Sequence, residues 1–424
     1  MLLSLNEYGA PAKRKWPEPF LRSLRDESQK WKLILGLPKE PFSVEYVDRG
    51  VHSIRGQGVA GFLKIDDTAI EIRPKFLSTA FDHSWRRALW RILTLVEDEP
   101  SLAAVSNAMV VENEDSFSDL LGWILLNSVR LAKLQGVPRG YVEVKDVLPV
   151  LRGRIDLSRM VELIWRPYIL PCVYDNFSEN IPLNRLVRWA TAQLALLVNS
   201  PRLGKMLSDE ADEFVGVDSI PPGLVEAEHI SLPVQYTHLD PALHVSRLLL
   251  RRQSLQHAED EFRAPGFLWK SSEIFERFVG YLLERILRED YSLLRLESFR
   301  QPLAYRQGRN IFTRPDYRIL SNNKTITVLD AKYKVWRKNK RPMVQDVYQI
   351  MAAGRINDCR RVFLIYPRSD NTEPPVMTWR ISGAGRPVTF TALFIDLSWM
   401  AQENGEQMLL NALRAYLSPI LCAV

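Results

Sequence analysis

Apolar residues recur at helical spacing in several long segments of the chain. The predicted helices cover residues 84–95, 117–134, 184–198, 241–255 and 272–288. Each has apolar positions three and four residues apart, so one face of each helix is expected to be buried. A further helix is expected just past Pro342.

Shorter apolar or alternating runs predict β-strands between these helices. The predicted strands cover residues 44–47, 61–65, 69–73, 140–144, 151–157, 293–299, 311–320, 325–330 and 362–366. The first hundred residues are therefore expected to be mostly β. Beyond residue 266 the order is helix, three strands, helix, strand, which predicts an α/β core with a mixed sheet.

A boundary is predicted near residues 260–266, where a charged stretch ends in Ala264-Pro265-Gly266. A chain of 424 residues is long enough for two or three domains. We expect a multidomain α/β (α+β) protein. Its predicted parts are a β-rich region with inserted helices at 1–165, a helical connecting region at 166–262, and a mixed sheet flanked by helices at 263–424.

The composition excludes several classes of protein. No stretch of about 18 apolar residues lacks charges, so no membrane span is expected. Glu7 comes too early for a signal peptide. The three cysteines are far apart, which fits a reducing cytoplasm better than disulfides or a zinc site. The six histidines show no paired metal-ligand spacing and are interpreted as structural or surface residues.

The net charge of +6 is weak evidence for a polyanionic partner, but its distribution is more informative. Residues 300–341 contain twelve Lys or Arg and only two acids, Asp316 and Asp330. A basic run is often no more than a solvated face. Here, however, both acids lie at the ends of predicted strands, which favours a site for an anionic substrate.

Those two acids belong to a constellation that can carry chemistry. Asn322-Asn323 can form a tight turn between the strand after Asp316 and the strand that delivers Asp330 and Lys332. Residues two apart on a strand share a face, so Asp330 and Lys332 are expected to project together beside Asp316. Two carboxylates with little apolar shielding suit Mg²⁺, with Mn²⁺ as a substitute. Lys332 would orient a metal-activated water or stabilise charge on a phosphate.

The spacing alone is weak evidence, because an Asp-x-Lys occurs by chance about once in a chain of this size. Glu143-Val144-Lys145 has an equivalent spacing on a predicted strand, but it lacks the Pro-Asp hairpin partner and the preceding amphipathic helix. For the set of Asp316, Asp330 and Lys332, a surface hairpin with salt-bridged charges remains the alternative.

The segments 314–316 and 329–334 resemble the active-site motif of the PD-(D/E)xK nuclease superfamily and, more narrowly, of the McrC family. Further segments resemble McrC proteins, namely 6–9, 70–76, 176–185, 272–279 and 346–352. Residues 10–39 have no counterpart. The resemblance thus spans most of the chain and is sharpest from 265 to 366.

The resemblance implies a Mg²⁺-dependent DNA endonuclease subunit of a modification-dependent (5-methylcytosine) restriction complex. Its partner would be a McrB-like AAA+ GTPase that the region 1–165 docks onto, and its substrate double-stranded DNA. The sequence has no Gly-x-x-x-x-Gly-Lys-Ser/Thr motif, so no nucleotide site is expected in this chain. The alternatives are a non-catalytic adaptor that activates an AAA+ NTPase and a stand-alone DNA repair nuclease.

The resemblance also suggests supporting residues. Glu276 matches the position where the first helix of the superfamily offers a carboxylate to the metal, although Glu273 or plain solvent exposure are alternatives. Gln345 and Gln349 lie one helical turn apart and are expected to contact the scissile phosphate or support Lys332, or else only to pack. The residues expected to contact DNA phosphates are Arg306, Arg309, Arg314 and Lys334.

Overall fold

A computed structural model of the chain describes residues 1–65, 67–78, 84–96, 116–160, 165–166, 168–257, 266–291, 293–298, 301–304, 311–334, 342–368, 375–381 and 388–421. Among these residues, no helix is both long enough and apolar enough to cross a membrane. The mixture of helices and sheets confirms the predicted α/β class.

The elements are numbered in chain order. The helices are α1 (Glu18–Ile34), α2 (Ser84–Val96), α3 (Phe117–Gln135), α4 (Leu157–Met160), α5 (Pro182–Leu197), α6 (Pro201–Asp212), α7 (Leu224–Glu228), α8 (Asp240–His257), α9 (Ser271–Asp290), α10 (Val344–Ile356) and α11 (Gly405–Leu421). Short 3₁₀ turns cover Lys75–Leu77, Val234–Leu239 and Leu397–Ala401.

The strands are β1 (Leu2–Asn6), β2 (Ala12–Arg14), β3 (Phe42–Asp48), β4 (Val51–Gly56), β5 (Val59–Ile65), β6 (Thr68–Arg73), β7 (Gly140–Leu148), β8 (Arg154–Ile155), β9 (Leu170–Ser178), β10 (Gly266–Lys270), β11 (Leu294–Glu297), β12 (Gln301–Ala304), β13 (Ile311–Thr313), β14 (Tyr317–Ser321), β15 (Lys324–Ala331), β16 (Arg361–Pro367), β17 (Val376–Ile381) and β18 (Val388–Ile395).

The chain forms two compact units. One contains Met1–Val110 together with Arg263–Val424, and the other contains Val111–Phe262. This division differs from the predicted segments at 1–165, 166–262 and 263–424. The reason is strand pairing: β10 pairs antiparallel with β5, so the four-stranded sheet β1-β6-β5-β10 joins the beginning of the chain to the region after residue 262.

The unit formed by Val111–Phe262 combines helices with one small sheet. Helices α3, α5, α6 and α8 pack against one another through buried leucines such as Leu121, Leu186 and Leu207. The sheet has the order β7-β9-β8, so β7 is an edge strand. Its residues pair antiparallel with β9 from Gly140 opposite Ser178 to Leu148 opposite Leu170.

The other unit contains the predicted mixed sheet, in the order β11-β14-β15-β16-β18-β17. β14 and β15 form an antiparallel hairpin, while β15, β16 and β18 run parallel. A parallel neighbour requires a crossover, and α10 supplies it between β15 and β16. Val328, Ile350 and Leu364 share the buried core under this helix. β15 thus lies well inside the sheet.

Two predictions about this unit were wrong in detail, and several of its elements were not predicted. The stretch 10–39, within a region expected to be mostly β, contains the 17-residue helix α1. The strand predicted over 311–320 is two strands separated at Pro315, and β13 pairs with β12 in a separate two-stranded sheet. Two further strands, β17 and β18, and the helix α11 follow the last predicted strand.

Candidate active site

The β14–β15 hairpin brings Asp316 and Asp330 together. Asn322 and Asn323 form its two-residue turn with φ of 47° and 63°, a conformation that Asn tolerates better than most residues. The pairing ends with Tyr317 opposite Leu329, so Asp316 lies at the next position, opposite Asp330. Asp316 Oδ2 also accepts a hydrogen bond of 2.7 Å from the Ala331 amide. The predicted juxtaposition of the two acids is therefore present.

Helix α9 positions the start of this hairpin. The Tyr317 hydroxyl donates a 2.8 Å hydrogen bond to the carbonyl of Glu276. Gly280 permits the approach, because a Cβ at that position would lie 2.5 Å from the Tyr317 hydroxyl oxygen. The contact places Asp316, the residue before Tyr317, near the part of α9 that carries Glu276.

Lys332 lies one residue past the end of β15, and its backbone continues the sheet. Its amide donates to the Ile365 carbonyl at 2.7 Å. Its Nζ lies 2.5 Å from Asp330 Oδ2 and donates a 3.0 Å hydrogen bond to Gln349 Oε1. The ammonium is thus held between a strand carboxylate and a carboxamide from α10. Of the two predicted glutamines, Gln349 contacts Lys332, whereas Gln345 is exposed.

The site is more buried than the sequence suggested. Asp330 is only 1% exposed, and its buried Oδ2 makes no hydrogen bond in addition to the ion pair with Lys332. The expectation of two carboxylates with little apolar shielding was wrong. The physical reason is that β15 lies inside the sheet and that α9 and α10 both pack on it, which no local pattern in the sequence reveals.

Burial and crowding of acids alter the protonation of this site. Desolvation, followed by the charges of Asp330 and Glu276, raises the pKa of Asp316 from 3.8 to about 8. Partial desolvation and the charge of Asp330 also raise the pKa of Glu276. Ionising all three acids together would place more negative charge here than one lysine neutralises, and a divalent cation would relieve that repulsion.

The donor atoms suit a hard cation, since they are carboxylate oxygens. Within the described residues there is no group of three or more acidic, His or Cys side chains already gathered in a metal-binding arrangement. The candidate site is therefore the pair Asp316 and Asp330, with Glu276 as its charged neighbour on α9. Glu273, the alternative on the same helix, instead forms an exposed ion pair with Lys270 at 2.8 Å.

The predicted DNA-contacting residues are only partly located. Arg314 is exposed two residues before Asp316. Lys334 donates a 2.6 Å hydrogen bond to Asp346, a buried carboxylate at the start of α10. Sequence reasoning missed this role of Asp346, for which an acid in the first helical turn was the only signal. Arg306 and Arg309 lie outside the described residues, and their DNA contacts stay a prediction.

Comparisons with known proteins place this geometry in context. The family model described as "McrBC 5-methylcytosine restriction system component" matches residues 54–367, which include Asp316, Asp330 and Lys332. A search for similar proteins of curated function found no match.

Two similar solved structures come from Thermococcus gammatolerans. One is a refined half-complex from a tetradecameric assembly of McrB AAA+ hexamers with bound McrC. The matching chain is 16% identical to this one, and the two superpose with a TM-score of 0.69. The match covers 98% of this chain and 100% of the other. The other is a cryo-EM structure of the McrBC complex, with 17% identity and a TM-score of 0.49 over 68% of this chain and 88% of that one. At 16% identity the first likeness shows the fold.

Proposed function

Because this chain belongs to the family of McrBC 5-methylcytosine restriction system components, we propose that it is the DNA-cutting subunit of such a system. It would hydrolyse the backbone of double-stranded DNA with Mg²⁺, activated by a GTP-driven AAA+ partner that it stimulates in return. The observation that carries this proposal is the meeting of Asp316, Asp330 and Lys332 at one end of the β14–β15 hairpin.

Asp316 and Asp330 are the residues that would hold the metal. Two facing carboxylates form a hard anionic oxygen site, and one of them is already ion-paired with Lys332. Glu276 adds a third negative charge from α9. A cation bound there supplies Lewis acidity toward the phosphodiester and lowers the pKa of a coordinated water.

Lys332 supplies the fixed positive charge of the site. Its side chain is only 14% exposed, and Asp330 and Gln349 hold its ammonium. Because most of the side chain is removed from water, its electrostatic interaction with a nearby charge is stronger than it would be in bulk solvent. An ammonium group held in place beside the reacting phosphate stabilises the negative charge that develops as the bond to the attacking oxygen forms. Lys332 is therefore the proposed catalytic residue next to the metal ligands.

DNA would approach across the basic segment that surrounds these acids. Arg314 is exposed beside Asp316, and Gln345 is exposed at the start of α10. Together with Arg306, Arg309 and Lys334 they are the proposed phosphate contacts. Such contacts fix the position of DNA without reading its sequence, and the affinity they provide falls steeply with salt. Recognition of the modified base is therefore assigned to the partner.

The partner proposed for this chain is a ring of AAA+ GTPase subunits. The similar Thermococcus gammatolerans structure contains McrB AAA+ hexamers with bound McrC. This sequence has no phosphate-binding loop motif, so GTP hydrolysis is assigned to the partner.

The test combines the full-length chain, a McrB-like GTPase, methylated double-stranded DNA, GTP and Mg²⁺. We expect cleavage that requires both proteins and GTP, and that Lys332→Met removes while the stimulated GTPase rate stays at the wild-type value. GTPase stimulation without cleavage by the wild-type chain would instead show an adaptor. Cleavage without partner or nucleotide would show a stand-alone nuclease.

A further inference from the structure

Two short segments near the beginning of the chain, 6–9 and 73–76, contact Tyr333, the residue next to Lys332 of the candidate site. β1 and β6 run parallel with Asn6 opposite Arg73, so the residues that follow these strands emerge together. The residue they meet is Tyr333, the one after Lys332. All three belong to the same compact unit.

Tyr333 is held at both its side chain and its main chain. Its hydroxyl donates a short hydrogen bond to Glu7 Oε2. Its carbonyl accepts a 2.8 Å hydrogen bond from Lys75 Nζ, which also lies 3.8 Å from the centre of the Tyr333 ring. Glu7 and Lys75 are themselves joined, since the Lys75 amide donates to Glu7 Oε2 at 3.0 Å.

Apolar packing shields these contacts from water in part. The Tyr333 ring lies 5.8 Å from that of Phe76 and 5.9 Å from that of Phe275, centre to centre. Both phenylalanines are fully buried, and Phe275 precedes Glu276 on α9. Glu7 is 4% exposed, and its burial raises the pKa of its carboxyl. Hydrogen bonds in such surroundings are stronger than exposed ones, and losing one partner is costly.

The position of Tyr333 in the chain, directly after Lys332, explains how its contacts with Glu7 and Lys75 can affect Lys332. β15 ends at Ala331, and the Lys332 amide makes the last bond to β16. Beyond that bond the backbone direction is not fixed by the sheet. Glu7 and Lys75 hold the next residue from two sides, which limits how far the Lys332 side chain can move from Asp330.

We propose that Glu7, Lys75 and Tyr333 are positioning residues that hold Lys332 in its place beside Asp330. This inference rests on the proposed role of Lys332 in DNA cleavage and extends it to the first 75 residues of the chain. The beginning of the chain then completes the active site in addition to any docking function. A lysine displaced by about an ångström stabilises the reacting phosphate poorly, even though no group that touches DNA has changed.

The test compares Tyr333→Phe with Tyr281→Phe. Each variant removes one Tyr–Glu hydrogen bond from the same unit; Tyr281 donates to Glu406 at 2.7 Å. In the complete complex, Tyr333→Phe is expected to lower kcat for DNA cleavage about tenfold with an unchanged KM. Tyr281→Phe is expected to cleave at the wild-type rate. Thermal unfolding of both variants shows whether their stabilities are matched.

A second pair tests the main-chain contact. Lys75→Met removes the bond to the Tyr333 carbonyl, and Lys133→Met removes the 3.1 Å bond from Lys133 Nζ to the Glu210 carbonyl in the other unit. Only Lys75→Met should lower kcat.

A measurement without DNA separates this inference from the proposed function. Competitive labelling of lysine amines, read by mass spectrometry, reports how accessible the Lys332 side-chain nitrogen is to the reagent once it leaves Asp330. Its labelling should rise in Tyr333→Phe and Lys75→Met and stay unchanged in both controls. Unchanged Lys332 labelling and unchanged cleavage in Tyr333→Phe and Lys75→Met would overturn the positioning role. So would equal losses of cleavage in Tyr281→Phe and Lys133→Met. If the wild-type chain cuts no DNA, the proposed function fails and the labelling result still decides the positioning role.

Discussion

Two strands of this chain carry an acid and a lysine two residues apart, and their surroundings differ completely. Asp330 and Lys332 have side chains that are 1% and 14% exposed, at the end of a strand inside a six-stranded sheet. The Glu143 side chain is 49% exposed on β7, an edge strand, and forms a 3.0 Å ion pair with Arg154, which is 75% exposed. The same spacing thus belongs to a candidate catalytic pair in one unit, whereas in the other unit the acid forms a surface ion pair with Arg154.

The comparison teaches that the neighbouring elements, not the spacing, give such a pair its chemistry. β14 brings Asp316 beside Asp330, and α10 brings Gln349 to Lys332. Exposed ion pairs contribute about 0–1 kcal/mol because water screens them. Charges removed from water interact more strongly and can be aimed at a substrate. Asp330 is ion-paired but buried, so it differs from the surface hairpin with salt-bridged charges that was the alternative.

The largest expected difference between the two pairs is in DNA cleavage. Asp330→Asn or Lys332→Met should lower the cleavage rate about a thousandfold, because the first removes a metal ligand and the second the fixed positive charge. Glu143→Gln and Lys145→Met should cleave at the wild-type rate. The measurement is single-turnover cleavage in the complete complex. Wild-type rates for the first two variants would refute the site assignment.

The elements of this site were predictable where the signals are local. The apolar face of 272–288 predicted α9, which spans Ser271–Asp290. The adjacent Asn322 and Asn323 predicted the turn of the hairpin, and with it the juxtaposition of Asp316 and Asp330. Hairpins connect neighbours in sequence, so one turn and two strand patterns determine which residues face each other.

Features that depend on distant parts of the chain were not predictable in this way. The burial of Asp330 depends on elements that lie far from it in sequence, among them α9 and the strand β16 beyond a crossover helix. The pairing of β10 with β5 joins residues about 200 positions apart, and no periodicity marks it. The bond between Tyr333 and Glu7 spans 326 residues. The resemblance pointed to both segments but gave no reason for their contact.

The pH dependence of stability should also distinguish the buried site from the surface pair. The pKa of Asp316 rises from 3.8 to about 8 on folding, because of burial and the charges of Asp330 and Glu276. The folded chain then binds this proton more tightly than the unfolded chain. Its contribution to stability is fully present below pH 3.8 and is lost as the pH rises through about 8.

Metal-free protein should therefore unfold at a lower temperature at pH 8 than at pH 5, and Asp316→Asn should reduce this drop, by about 2–4 °C for each kcal/mol involved. At pH 8, Mg²⁺ should raise the Tm of the wild type more than that of the variant. Glu143→Gln serves as the control and should follow the wild-type curve. A variant curve parallel to that of the wild type would contradict the raised pKa.

A smaller effect is expected from the residue that holds Lys332 from α10. Gln349→Met removes the acceptor of the 3.0 Å hydrogen bond and should lower kcat about tenfold, because the ammonium loses one of its two contacts. Gln345→Met, one helical turn earlier and exposed, should change only KM for DNA. Steady-state cleavage over a range of DNA concentrations separates the two constants. A fall in kcat for both variants would show a general role of α10 instead.

The smallest effect is expected at the surface pair itself. In a double-mutant cycle of Glu143→Gln and Arg154→Met, the coupling energy should be below about 1 kcal/mol, because both side chains are solvated and salt screens them. The matching cycle of Asp330→Asn and Lys332→Met should give a coupling on the order of 3 kcal/mol, since removing one buried partner leaves the other charge poorly compensated. Urea unfolding at two salt concentrations measures both couplings. Equal values would mean that burial does not distinguish the two pairs, and the argument for a preorganised Lys332 would then lose its physical basis.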